Sequence, residues 1–173
     1  ISDLILSVPP FDPQIGAIEL GRELATLVML LTVGWVAGRK FQSRLGLAIF
    51  AFGVWDIFYY IWLRVFIGWP QTLLDPDLLF LLPLPWWGPV LSPILIAALM
   101  VIGGALAVTK DEHELRLLPS FMDWALLIGG IQTILYTFMA DALSALPADA
   151  RTLNQLRPSE FNWPVYLVGF VML

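Results

Sequence analysis

Gly53-Val-Trp-Asp-Ile-Phe-Tyr-Tyr-Ile-Trp-Leu-Arg64 decides the fold, because it sets an acid and a base inside one of the most apolar runs of the chain. If Leu45 to Ile67 crosses a bilayer as one helix, Asp56 lies near its middle. A charge there costs about 2.5–3.5 kcal/mol on insertion scales. Steps of three and four residues return to nearly the same direction on a helix, so Gly53, Asp56, Tyr60 and Arg64 share one face. Trp55, Phe58, Trp62 and Phe66 cover the opposite side. The helix therefore carries a polar stripe suited to a protein interior or a water-filled cavity, and an aromatic stripe suited to lipid or another subunit.

The rest of the composition agrees with a membrane setting. Hydrophobic residues make up 59% of the 173 residues and charged ones only 13%, too apolar for an ordinary soluble domain of this length. The charges cluster between the apolar runs without forming a basic face, which argues against a nucleic-acid partner. There is no cysteine, so disulfides, iron–sulfur clusters and thiolate zinc sites are excluded. His113 is the only histidine, so a bis-histidine haem within this chain is excluded too.

Apolar length then sets the expected spans, each needing about 20 residues. The first runs from about Ala17 to Gly38, with Glu19, Arg22 and Glu23 in its opening turns and Gly34 and Gly38 at the spacing that lets helices approach closely. Ile1 to Gln14 carries Pro9, Pro10 and Pro13 and reads as an extended segment at the membrane surface. The basic turn Arg39-Lys-Phe-Gln-Ser-Arg44 leads into the second span, Leu45 to Ile67. Gly68 to Pro89 follows, too broken by proline to cross and too apolar to be a solvated loop. It reads as an interfacial or re-entrant element, with Asp75 capping a short helix that has Pro76 in its first position and runs through Leu78 to Leu82. The alternative role for this Trp/Pro-rich stretch is a lid over an outward-facing cavity.

The third span covers about Val90 to Val108, with a small-residue surface at Ala97, Ala98, Gly103, Gly104, Ala105 and Ala107. Ser120 and Asp123 have the spacing of a capping box. They open the fourth span, Phe121 to Ala140, where Ala125, Gly129 and Thr133 recur every four residues as a packing surface. A polar connection, Asp141 to Asn162, precedes a fifth apolar run from Trp163 that is truncated at Leu173. The fold class expected is an all-α integral membrane protein, a single domain over 1–173, with a bundle of about five transmembrane helices, the fifth truncated. With Arg22 and Arg64 assigned to spans, Arg39, Lys40, Arg44, Lys110 and Arg116 fall on one side of the arrangement and only Arg151 and Arg157 on the other. The positive-inside rule then puts the N-terminus outside in a bacterial-type inner membrane.

A ligand or proton site is expected around Asp56, Tyr59, Tyr60 and Arg64, with Glu19 and Glu23 entering from the outer end of the first span to face Arg64. Asp56 and Arg64 are about 12 Å apart along the axis of a regular helix, too far for a direct ion pair. Catalysis has little support. Asp111-Glu-His-Glu114 is not an HExxH motif, since Leu117 stands where the second histidine would be, and four consecutive helix residues cannot all face one ion. No nucleophile elbow, phosphate loop or dinucleotide-binding turn occurs in its proper context. No metal, cofactor or catalytic residue is assigned.

The span count, small size and many tryptophans are similar in outline to the translocator protein family. The Trp/Pro-rich stretch of that family follows its first helix, however, and Pro85-Trp-Trp-Gly-Pro89 follows the second span, so no family is assigned. Two roles fit the residues: an accessory or assembly subunit of a larger membrane complex, with lipid and neighbouring subunits as partners, or a small transporter or ligand-binding protein centred on Asp56.

Overall fold

The structure is a computed structural model that describes residues 13–80, 84, 86–115, 117–146 and 160–173. Five helices and one hairpin appear among the described residues, in the order α1 (Pro13–Ala37), α2 (Phe41–Ile67), β1 (Pro76–Phe80), β2 (Trp86–Pro89), α3 (Leu91–Glu112), α4 (Phe121–Ser144) and α5 (Trp163–Met172). Among the described residues, four helices are long and apolar enough to cross a membrane: Leu20–Ala37, Phe41–Ile67, Leu91–Glu112 and Phe121–Ser144. Residues 1–12 of the expected surface segment, Arg116, and most of the 141–162 connection with Arg151 and Arg157 lie outside the described residues; Pro13 and Gln14, expected to be extended, open α1 instead, since proline is tolerated in the first turn of a helix.

The chain groups into two compact units. Of the described residues, one holds those of Gly21–Asp75 and Val90–Leu118; the other holds those of Pro76–Pro89, Pro119–Leu173 and 13–20. In the first, α2 and α3 meet backbone to backbone because glycine stands at the crossing points. A Cβ on Gly53 would lie 2.5 Å from the Ala97 carbonyl oxygen, and one on Gly104 would lie 2.5 Å from the Gly46 carbonyl oxygen. Helices without bulky side chains between them can approach this closely, which maximises dispersion contact between them. Ala97 and Gly104 are the buried members of the expected small-residue surface, whereas Gly103 and Ala105 face outward. Gly34 of α1 lies against Arg44 and Ala48 of α2, its absent Cβ leaving room for Ala48 at 2.7 Å.

Helix α2 stops at Ile67 because Gly68 adopts a left-handed φ of 71° and its N–H returns to the Arg64 carbonyl at 3.2 Å. Glycine takes that conformation without a Cβ penalty, and Pro70 cannot resume the helix.

The short helix expected from Asp75 through Leu82 is not formed. Pro76–Phe80 is a strand paired antiparallel with Trp86–Pro89, in the register Pro76↔Pro89, Asp77↔Gly88, Leu78↔Trp87 and Phe80↔Trp86. Residues 81 and 82 lie outside the described residues. The physical reason is that Asp75 caps backwards: its Oδ2 accepts the Gln71 N–H at 2.7 Å and the Thr72 N–H at 3.3 Å, and its Oδ1 accepts the Thr72 hydroxyl at 2.6 Å. A carboxylate used this way cannot also receive the N–H groups of a following helix. The prolines pair at the open end of the hairpin, where a missing ladder donor does least harm.

In the second unit α4 opens on the expected capping box. Ser120 donates its N–H to Asp123 Oδ2 at 2.7 Å and its hydroxyl accepts from Asp123 N–H at 3.2 Å. Helix α5 packs on α4 through a pair of glycines: a Cβ on Gly130 would sit 2.8 Å from the Gly169 carbonyl oxygen, and one on Gly169 would sit 3.0 Å from that of Gly130. Next to them Tyr166 is fully buried, ringed by Phe138 at 6.0 Å, Phe161 at 5.5 Å, Trp163 at 5.5 Å and Phe170 at 6.0 Å. Trp86 of the hairpin stacks on Phe138 at 6.3 Å.

Candidate functional site

The Gly53–Arg64 face of α2 divides into three parts. Gly53 is consumed by the contact with α3. Asp56 is half-buried one turn further on, and Tyr60 is buried with its ring 6.4 Å from that of Trp69, which is also buried. Arg64 is exposed, as the polar end of the stripe. Thus the face carrying Gly53 and Tyr60 is turned into its own unit.

The hydrogen bonds that Arg64 makes go to the chain following its own helix. Its Nη1 donates to the Gly68 carbonyl at 2.7 Å and to the Pro70 carbonyl at 3.0 Å. Glu23, one of its expected partners, is half-buried on α1, and the Glu19 side chain lies outside the described residues. One acid that feels Arg64 is Asp75, which the sequence assigned to a helix cap. The Thr72 hydroxyl, the Gln71 and Thr72 N–H groups and the Arg64 guanidinium together hold the Asp75 carboxyl below its ordinary value near 3.8, against the opposing effect of partial burial.

A depressed folded-state value means that Asp75 adds stability above its unfolded-state pKa, and loses it as pH falls through the folded one. The turn 71–75 should therefore stay closed from neutral pH to about pH 4 and loosen only below it. Amide shifts of Gln71 and Thr72 in an acid titration measure this, and a transition centred at or above pH 5 would contradict it. Asp75→Asn should remove the acid transition.

The opposite side of α2 is aromatic and outward. Trp55, Phe58, Tyr59, Trp62, Leu63, Phe66 and Ile67 line an open groove of about 330 Å³. Trp55 stacks on Tyr59 at 5.9 Å and Trp62 on Phe66 at 5.4 Å, both one turn apart. Phe58, Tyr59, Trp62 and Phe66 are all exposed. Tyr59, expected in the polar site, belongs to this aromatic face, while Tyr60 belongs to the interior.

At the other end of α2 a polar latch joins it to α3, and no sequence motif announced it. Gln42 Nε2 donates to the Ala107 carbonyl at 2.9 Å and to the Leu115 carbonyl at 3.2 Å, while its Oε1 accepts the Leu117 N–H at 2.8 Å. Lys40 Nζ lies 3.7 Å from the Asp111 carboxylate, which is buried.

Of the expected packing residues, Gly34 and Gly38 both lie against α2, Gly38 beside Arg44. On α4 the buried stripe runs through Gly130, Ile134, Thr137, Phe138 and Ala142. Gly129 sits at its margin, 2.8 Å from Met172 for an added Cβ, Thr133 is half-buried, and Ala125 is exposed. Among the described residues no cluster of three or more His, Cys, Asp or Glu side chains has the geometry to hold a metal ion. No family model, no curated protein and no solved structure matches this chain.

Proposed function

We propose that the chain is a non-catalytic integral membrane protein acting as an accessory or assembly subunit of a larger membrane complex. Its place is a bacterial-type inner membrane, with the N-terminus outside. The observation that carries this reading is the division of labour on α2. Gly53 and Tyr60 are used up in packing within the chain, and the aromatic residues of the groove are presented outward. What α2 offers its surroundings is contact area rather than reactive groups. Aromatic side chains give large contact area at low conformational-entropy cost, which suits them to interfaces. The orientation rests on Arg39, Lys40, Arg44 and Lys110, which flank the ends of α1, α2 and α3 on one side.

A photo-crosslinking residue at Phe66, which is 77% exposed, tests the reading in native membranes. A discrete protein adduct whose partner also co-purifies in stoichiometric amount in mild detergent supports it; lipid adducts alone overturn it. Asp56 supports a second reading, because a half-buried carboxylate near the middle of a span carries an insertion cost that a solute or proton site would justify. A monodisperse isolated protein that binds a small solute, and loses that binding in Asp56→Asn, would replace the subunit reading with this one.

A further inference from the structure

We propose that the elbow between α1 and α2 holds the headgroup of an anionic phospholipid, its phosphate gripped by Arg39 and Arg44. The proposal rests on the membrane-embedded reading above.

The elbow is built before any ligand arrives. The Ser43 hydroxyl accepts the Arg39 N–H at 3.2 Å and the Lys40 N–H at 3.0 Å, and donates to the Lys40 carbonyl at 3.0 Å. Gly38 leaves room for Arg44 to lie across the turn, since a Cβ there would come within 2.8 Å of Arg44 Cγ. Arg44 Nε donates to the Gly38 carbonyl at 3.2 Å, and the guanidinium carbon stands 4.3 Å from the Trp35 ring centroid. The Arg44 side chain is thereby fixed by one hydrogen bond and one cation–π contact. Its two terminal nitrogens make no hydrogen bond among the described residues.

Arg39 follows Gly38 directly, is exposed, and has no ion pair among the described residues. Lys40 differs: its charge is met by Asp111. Two arginines for which no carboxylate partner is seen among the described residues thus belong to the turn where α1 ends and α2 begins. Planar guanidinium forks match the oxygens of a phosphate group in pairs, which an ammonium cannot do.

The surroundings select a lipid. Trp35 is 60% exposed and Phe41 73% exposed, and both flank the arginines at the ends of long apolar helices. Aromatic rings at that level settle at the boundary between headgroups and acyl chains, where basic residues recruit anionic lipids. An acidic protein segment would also satisfy the arginines, and the peptide arm of the experiment below separates it from a lipid.

Native mass spectrometry of the purified protein tests this, with phosphatidylglycerol or phosphatidylcholine as the added lipid. Wild type should retain phosphatidylglycerol about tenfold better than an Arg39→Gln/Arg44→Gln variant, with phosphatidylcholine retained equally by both. A cooperative thermal transition in phosphatidylcholine alone shows that each protein is folded. Should the double variant not fold, Arg44→Lys keeps the charge but loses the fork, and should still lower phosphatidylglycerol retention. Equal retention by folded wild type and variant overturns the proposal. So does arginine-dependent binding of inorganic phosphate or an acidic peptide without that of phosphatidylglycerol. A chain that leaves the membrane fraction altogether would defeat the membrane reading itself, whereas a membrane-embedded chain with arginine-independent retention defeats only the headgroup site.

Discussion

Gly53→Val should abolish the folded α2–α3 pair. The added Cβ would meet the Ala97 carbonyl oxygen at 2.5 Å and Val101 Cγ2 at 2.9 Å. The first of these atoms is backbone, so no rotamer change relieves the clash and the two helices must part. Overpacking of a close-packed interior typically costs 1–3 kcal/mol, and an obstacle made of main chain places this substitution at about 3 kcal/mol or more. Parting the helices at Gly53 also loosens the second close approach, where Gly104 lies against the Gly46 carbonyl. The expected result is a large loss of monodisperse protein on size exclusion and of protease resistance in membranes. Gly103→Val is the control. An added Cβ there meets nothing within 4 Å, so its yield and melting temperature should match wild type. Equal behaviour of the two variants would show that the close contact at Gly53 does not hold the pair together.

The second large effect is expected at Tyr166. It is 0% exposed and has four aromatic rings within 6.0 Å of its own, so Tyr166→Ala leaves a cavity among them. Truncating a buried aromatic costs about 3–5 kcal/mol. The loss falls on the α4–α5 contact, because Phe138 of α4 and Phe161, Trp163 and Phe170 around α5 all meet at this ring. Limited proteolysis between α4 and α5 should accelerate strongly in Tyr166→Ala. Tyr166→Phe keeps the ring contacts and should retain most of the wild-type resistance. If Ala and Phe behave alike, the aromatic ring is not what secures α5.

The helices were legible because their signals are physical and long: apolar runs of the length a span needs, a glycine and a proline after Ile67, a Ser–Asp capping box before Phe121. The hairpin was hidden, because Leu78 and Leu79 suit a helix as well as a strand. The choice was made by Asp75, whose carboxylate closes the turn behind it. The α4 face was also ambiguous from sequence. Gly129 and Gly130 are adjacent, and spacing alone supports either the Ala125–Gly129–Thr133 stripe or the Gly130–Ile134 stripe. Only the position of Gly169 on α5 decides between them.

At the candidate site, periodicity separated the polar face of α2 from its aromatic face, and it grouped Asp56, Tyr60 and Gly53 on one side. It did not foresee that Arg64 would turn to the carbonyls of Gly68 and Pro70, because those acceptors exist only once the chain has bent back after Gly68. Gln42 was invisible for a similar reason. A single glutamine in a basic turn gives no pattern, and its partners at Ala107, Leu115 and Leu117 are distant in sequence.

The α2–α3 pair is fastened at both ends. At one end the Leu91 N–H donates to the Leu73 carbonyl at 2.7 Å and the Val90 N–H to the Asp75 carbonyl at 3.0 Å. At the other end Gln42 and Lys40 grip α3 and the chain after it. Between these clasps the glycine crossings leave no slack for a side chain to swing. A gate that works by prying two helices apart would have to break one clasp before it moved, so α2 and α3 can tilt or bend only as a single plank.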